Sequence, residues 1–285
     1  MPEGWQWDRT LFQGSAAHYE RGRLPYAPGF ADVLAAALGF DGRGRLLDVG
    51  CGPGTVALAV APHVTEVVGV DPDEDMLAEA ARQAARRGVA NARWVTARAE
   101  ELPAGLGQFD AVVFAQSFHW TDRDQVAATV RDMLPPGGAF VQISDLKDPP
   151  AEPGPLPYPA PPGDRIGELV RRYLGPVRRA GRGTLPYGTP GGEELVLVRA
   201  GFEPPKRHVV PAGQVLTRTA DDLVARVFSN SGSAPHLFGE RLPDFERDLR
   251  AELHRASPDG LFAEHLPPTE IRIWHKPGRT PTTLD

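Results

Sequence analysis

The sequence predicts an α/β fold, a mostly parallel sheet covered by helices on both faces. Three observations carry that reading. Short apolar runs alternate with helix-patterned stretches between Arg45 and Ser144. Those runs are short and rich in apolar and β-branched residues, as in Glu66–Val70. Strands separated by helices at this spacing imply right-handed βαβ crossovers, and such crossovers join parallel strands.

The first thirty residues hold six of the 22 aromatics: Trp5, Trp7, Phe12, Tyr19, Tyr26 and Phe30. They show little periodicity and read as an irregular arm, either a strap on the core or a lid. Phe30–Leu38 is helical, with Phe30, Val33, Leu34, Ala37 and Leu38 on one face. Arg45–Val49 is the first strand, and a glycine cluster ends it. Helix Thr55–Ala61 leads to the second strand, Glu66–Val70, which stops at Asp71. Asp73–Arg87 is a helix with Asp73, Glu74 and Asp75 in its first turn and Arg86 and Arg87 in its last. That is the charge order the helix dipole favours, and Gly88 ends the helix. Arg93–Thr96 and Ala111–Ala115 are the third and fourth strands. Helix Gln125–Leu134 stops at Pro135-Pro136-Gly137-Gly138, and Ala139–Ser144 is the fifth strand.

Beyond Asp148 the character changes. Eight of the fourteen residues from Pro149 to Pro162 are proline. Such a stretch is stiff and extended, and in an open α/β sheet a loop after a strand's carboxyl end overlooks the ligand crevice. Helices follow at Arg165–Arg179, Glu193–Arg199, Ala220–Ser229 and Asp244–Ala256, with strands at Arg207–Leu216 and Glu270–His275. This half is too poor in βαβ pattern for a second α/β domain. The expected organisation is an arm and first helix (1–38) acting as a lid, a ligand-binding core (39–147), and a segment (148–285) that completes and caps the sheet.

Composition narrows the function. The net charge of −6 disfavours a polyanionic substrate such as nucleic acid. The longest apolar runs fall far short of the roughly 18 residues of a membrane span. Met1–Thr10 lacks the basic-then-apolar pattern of a secretion signal. The expectation is a cytoplasmic protein, a monomer or homodimer, acting on a small molecule. A single cysteine, Cys51, excludes an internal disulfide and a cysteine-rich zinc site, and the histidines are too scattered to ligate metal.

The sharpest motif is Leu46-Leu47-Asp48-Val49-Gly50-Cys51-Gly52-Pro53-Gly54, a buried strand followed by a Gly-x-Gly-x-Gly turn. Glycines there let the backbone approach a ligand closely. The Lys-Ser/Thr of a phosphate loop is absent. The dinucleotide fingerprint is Gly-x-Gly-x-x-Gly, and the third glycine comes one residue too early for it. Asp71 ends the next strand, 21 residues after Gly50 (71 − 50). A carboxylate at that distance can accept both hydroxyls of a ribose. The competing role is a helix N-cap, for which Asp73 is better placed.

Together these features resemble class I methyltransferases dependent on S-adenosyl-L-methionine (SAM), closely over residues 40–145. The resemblance extends more loosely to both ends, toward the small-molecule methyltransferases related to the ubiquinone-biosynthesis and trans-aconitate enzymes. The resemblance implies a Rossmann-like sheet of seven strands, one antiparallel near the C-terminus, with SAM across the strands' carboxyl ends. Gly50, Gly52 and Gly54 would pass under the methionine and ribose. Asp48 would position the methionine portion through water, Asp71 would hold the ribose, and Met76 would flank the adenine or simply fill the core. Val95–Pro103 resembles the third-strand motif, in which an acid binds the adenine amino group. This chain departs from that pattern: Arg98 stands at the acid's place, Ala99 still offers its N–H, and Glu100 is the substitute acceptor.

Gln116-Ser117-Phe118-His119-Trp120 follows the fourth strand, where the transferred methyl should emerge, so Gln116 is read as touching SAM. The Asn/Asp-Pro-Pro-aromatic motif of amino-methylating nucleic-acid enzymes is missing there. His119 and Trp120 resemble residues of members that methylate small acids and alcohols. His119 is either a general base or a support for the pocket. Tyr19-Glu20-Arg21-Gly22-Arg23 resembles the N-terminal cap motif, implying Arg23 or Arg21 on the SAM carboxylate and Tyr19 over the sulfonium. In Ser229-Asn230-Ser231, Ser229 is a candidate for acceptor contact, against a plain helix-end cluster. Two other functions stay open on this sequence: a nucleotide-dependent oxidoreductase on a similar fold, and a SAM-binding sensor without transfer.

Overall fold

The computed structural model describes residues 8, 10–146, 154–177, 179–180, 183–184 and 192–278. Five strands come first in the chain: β1 (Arg45–Val49), β2 (Glu66–Asp71), β3 (Ala92–Thr96), β4 (Ala111–Ala115) and β5 (Ala139–Asp145). Then follow β6 (Arg179–Ala180) and β7 (Gly183–Thr184), which pair with each other, and β8 (Lys206–Val210), β9 (Val215–Thr219), β10 (Leu261–His265) and β11 (Thr269–His275). The main sheet has seven strands in the order β3-β2-β1-β4-β5-β11-β8. β1 to β5 are mutually parallel, and β11 is antiparallel to both of its neighbours. This is the expected architecture, antiparallel strand included.

Alternation along β1 sorts its side chains between two apolar layers. Leu47 and Val49 join Val68, Val112, Phe114, Phe140 and Trp274 on one face. The helices α5 (Arg123–Met133) and α7 (Glu193–Arg199) cover that face with Val126, Val130, Val196 and Leu197. Leu46 joins Val67, Val113, Val141 and Ile271 on the other, under α2 (Phe30–Leu38) and α3 (Thr55–Val60). Each such side chain contributes about 1.5–3 kcal/mol by leaving water. Asp48 has the parity of Leu46 and is therefore driven into the layer beneath α3.

Local chemistry starts and stops the helices. In α4 (Glu74–Arg87), the Asp73 carboxylate caps the first turn by accepting from the N–H groups of Asp75 and Met76. Gly88 closes the other end at φ +66. Asp73 rather than Asp71 is thus the cap.

The second half builds a cap with its own apolar centre. α6 (Gly163–Leu174), α8 (Ala220–Phe228) and α9 (Leu242–Ala256) bury Leu169, Leu223, Phe228, Phe245, Leu249 and Phe262 together. Among the described residues, no helix is long and apolar enough to cross a membrane.

Three expectations need correction. The arm is not irregular throughout, because Ala16–Gly22 forms a helix, α1, seated on α8. The seat is tight: a Cβ on Gly22 would lie 2.5 Å from the carbonyl carbon of Ala225. Ser15 Oγ donates to the Phe228 carbonyl, and Arg218 donates to the carbonyls of Arg21 and Gly22. The strand expected at Arg207–Leu216 is two strands. Pro211 has no N–H to continue a ladder and Gly213 turns at φ +63, so β9 leaves the main sheet to pair with β10, a strand the pattern did not reveal. The helix expected to reach Arg179 ends at Leu174, where Gly175 takes φ +90. Of the proline-rich stretch, residues 149–153 lie outside the described residues. The rest runs beside β10, where Ala263 N donates to Pro159 O at 3.0 Å, and Pro161 faces a cavity in the cap.

Candidate active site

The glycine turn is pinned before any ligand is considered. The N–H groups of Gly50 and Cys51 both donate to the Val70 carbonyl, at 2.8 and 3.1 Å. Gly50, Gly52 and Gly54 all have positive φ. A Cβ on Gly50 would sit 2.5 Å from Ser117 Cβ, and one on Gly54 would sit 2.6 Å from the Trp94 ring. Gly50 therefore admits the segment after β4. Gly54 admits β3 rather than a ligand. Ser117 Oγ donates to the Val49 carbonyl at 2.5 Å, which ties the β1 and β4 ends together.

Asp71 joins this turn to the next helix. Its Oδ2 accepts from Gly52 N at 2.8 Å and its Oδ1 from Asp73 N at 2.9 Å. Each carboxylate oxygen retains a further lone pair. Burial lifts its pKa to about 6, with the two backbone N–H groups opposing the rise. Asp48 is more extreme: burial lifts its carboxyl to about 7, although the Ala57 N–H donates to Oδ2 at 3.1 Å. Its Oδ1 is buried and, among the described residues, has no hydrogen-bond partner. A buried acceptor without a donor costs free energy, so this oxygen is built to receive a donor from a ligand or a water.

A cleft opens over the turn. Gly50, Gly52, Asp71, Met76, Ala99 and Glu100 line it, as do Tyr19, Gln116 and Trp120. Met76 is 2% exposed and still touches the cleft, so its core and cleft roles coincide. The Glu100 carboxylate accepts from Asp122 N at 2.9 Å, which commits one oxygen to the start of α5. Arg98 lines the cleft and leans on Glu101 at 3.8 Å.

A second space of about 530 Å³ continues from the cleft. Asp48, Arg23, Thr55, His119, Asp145 and Asn230 line it, and Tyr19, Gly50, Gln116 and Trp120 are shared with the cleft. Gln116 sits at φ +55 and its amide donates to Asp145 at 3.0 Å. The Arg23 guanidinium lies 5.1 Å from the Tyr19 ring centre and donates to the Ser229 carbonyl at 2.8 Å. Its Nε is buried and, among the described residues, has no hydrogen-bond partner. Burial raises the Tyr19 hydroxyl above its usual pKa, against the pull of Arg23. The ring of His119 is 5.0 Å from that of Trp120.

Two proposed residues are not brought here. Arg21 points outward and pairs with Asp221 and Asp222, which leaves Arg23 as the arm's cation in the site. Ser229 is fully buried, and its hydroxyl donates back to the Arg226 carbonyl at 2.8 Å. Its neighbours Asn230 and Ser231 face the chamber instead. Among the described residues no cluster suited to a metal ion is assembled.

Phe12, Thr55 and Asp145 line the site without having been read from the sequence as site residues, whereas Asn230 belongs to the Ser229-Asn230-Ser231 cluster that was. Asp145 alone had a usable signal, a carboxylate at the carboxyl end of a parallel strand.

Comparison with known proteins agrees with this geometry. Residues 46–138 match the family model described as a methyltransferase domain. The chain is 35% identical over 142 residues to the uncharacterized methyltransferase Rv3342 of Mycobacterium tuberculosis, covering 50% of this chain and 55% of that protein. It is 36% identical over 133 residues to the malonyl-[acyl-carrier protein] O-methyltransferase of Enterobacter lignolyticus, covering 46% and 50%. The chain thus spans about half the length of these relatives. The crystal structure of YcgJ from Bacillus subtilis has the same fold, with a TM-score of 0.51 at 20% identity, covering 88% of this chain and 98% of that one.

Proposed function

We propose that this chain is a class I methyltransferase that transfers the SAM methyl group to an oxygen of a small-molecule acceptor, a reading supported by the match of residues 46–138 to a methyltransferase domain. The observation that carries the reading is the continuity of two spaces. The cleft over the glycine turn and the chamber beside His119 meet at Tyr19, Gly50, Gln116 and Trp120. One holds a donor and the other an acceptor, with the junction between them.

When bound, SAM supplies a methyl already activated by its sulfonium. The chain's own groups then bind and align. Asp71 accepts the ribose hydroxyls with its remaining lone pairs, while Met76 and Ala99 flank the adenine and Glu100 meets its amino group. Asp48 Oδ1 receives the methionine ammonium through a water, and that positive charge favours its ionised form. Arg23 takes the methionine carboxylate. Tyr19 lies toward the sulfonium, since an aromatic face attracts a cation. Such alignment is worth roughly 7–11 kcal/mol in favourable cases. Tyr19 and Arg23 ride on and beside α1, so the N-terminal arm acts as a lid that excludes water.

His119 has a role that depends on the acceptor. A hydroxyl must lose a proton, and an imidazole in the chamber wall can take it. A carboxylate has no proton to lose, and His119 then only orients it. Oxygen as acceptor is supported by the relative named as an O-methyltransferase, and a small acceptor by the net charge of −6. Calorimetry with SAM and S-adenosylhomocysteine should give micromolar binding. Folded protein that gives no heat with either ligand would overturn the proposal.

A further inference from the structure

We propose that the acceptor is a carboxylic acid with an apolar tail, its tail lodged in a cavity between α6 and α8. This rests on the methyl-transfer reading of the core and names the substrate class. The cavity measures about 600 Å³, well inside the range of ligand pockets. Its walls are mostly apolar. Ile166, Val170 and Leu174 face it from α6 at four-residue spacing, and Leu223 and Val227 face it from α8. Leu169 is buried in the middle of the cap, and Ile166, Val170 and Leu174 pack against that centre only partly buried while also facing the cavity. At the rim Val177 remains 56% exposed.

One end of the cavity is polar. Arg226 and Asn230 line both this cavity and the chamber that contains Gln116 and His119, so the two spaces meet there. Arg226 donates to Glu264 at 2.5 Å, and Arg218 lies 3.6 Å from the same carboxylate. Glu264 is thus held between two guanidiniums, and Arg226 is the one that faces the neck. On the chamber side Arg226 also feels the Asp145 carboxylate at the end of β5. An anionic head at the neck with an apolar tail behind it matches both halves of this lining. The chemistry also closes without a base. A carboxylate oxygen forms the new C–O bond as the S–C bond of SAM breaks. The sulfonium becomes a neutral thioether, the acid a neutral methyl ester, and no proton moves.

The test uses straight-chain monocarboxylates from butanoate to decanoate, with the matching primary alcohols, titrated calorimetrically into the full chain with and without S-adenosylhomocysteine. Affinity should rise about fourfold per added methylene, as burial of a CH₂ predicts, and acids should bind tighter than alcohols. The cavity can be filled by Gly167→Phe. Gly167 lines it from α6, and a Cβ there meets only the flexible end of Arg171, at 3.4 Å. This variant should weaken decanoate at least tenfold and leave butanoate and S-adenosylhomocysteine unchanged. A flat ladder, or one that Gly167→Phe does not touch, would overturn the tail site. Alcohols that equal the acids would overturn the carboxylate head. Loss of S-adenosylhomocysteine binding beside an intact ladder would instead break the methyl-transfer reading and leave the tail site standing.

Discussion

The donor cleft and the cap are built from the chain in opposite ways. The floor of the cleft comes from one stretch: its glycine turn, Asp71, Met76, Ala99, Glu100 and Gln116 all lie between residues 50 and 116, and Phe12 and Tyr19 of the arm add to its lining. The cap is assembled from both ends of the chain. Arg23 reaches Ser229 across 206 positions, and Ser15 reaches Phe228 across 213. The cleft is shaped by backbone geometry and buried carboxylates, whereas the cap is shaped by helices that meet over a cavity. Recognition of a constant donor can be written in a local motif, while recognition of a variable acceptor is left to long-range packing.

The two regions should also respond oppositely to pH, and this is the largest effect expected. Asp48 in the core has a folded pKa near 7, far above the roughly 3.9 of an unfolded chain. The folded state holds that proton more tightly, so core stability should fall as pH rises from about 4 to 7 and level off above. At about 1.4 kcal/mol per pH unit the loss is a few kcal/mol. In the cap, burial is the largest single influence on Asp222 and raises it, but the hydrogen bonds from Arg21 and Thr219, with the Arg21 charge, together hold the carboxyl below its usual value. That contribution should be present at neutral pH and be lost as pH drops through the carboxylate range. Hydrogen exchange across pH, with Asp48→Asn to flatten the core's response, checks both signs. A core equally stable at pH 4 and pH 7 would refute the first.

Asp71→Ala should weaken SAM binding by about 1–3 kcal/mol, the range for hydrogen bonds to a charged group. The fold should survive because Asp73 still caps α4. Calorimetry on the variant reads this directly, and unchanged affinity would place the ribose elsewhere.

Gly22→Ala addresses the cap alone. The added methyl meets the Ala225 backbone, and overpacking of this kind costs about 1–3 kcal/mol. Hydrogen-exchange protection should drop in α1 and α8 and hold in the core strands. An equal drop in both would merge the two regions into one unit.

His119→Ala gives the smallest effect if the acceptor is an acid. Turnover should then fall less than tenfold with SAM affinity intact. A loss of about 10²–10⁴-fold, typical of a missing general base, would point to a hydroxyl acceptor. A pH–rate profile with or without a titrating group near neutrality separates the same two cases.

The sequence by itself determined the sheet's first five strands, the glycine turn with Asp71 beside it, and Asp73 as a cap. Each follows from residues within a few turns of one another, where periodicity, capping and glycine dihedrals act locally. Only the tertiary structure decided that Gly54 serves Trp94, that Arg23 and not Arg21 enters the site, and that Ser229 is turned away while Asn230 lines both cavities. It also decided that α1 belongs to the cap and that β9 deserts the main sheet for β10. Those outcomes depend on which surface a residue meets after the chain has closed over 200 positions. No local pattern encodes that meeting, because the partner's identity enters only when the two apolar faces are buried together.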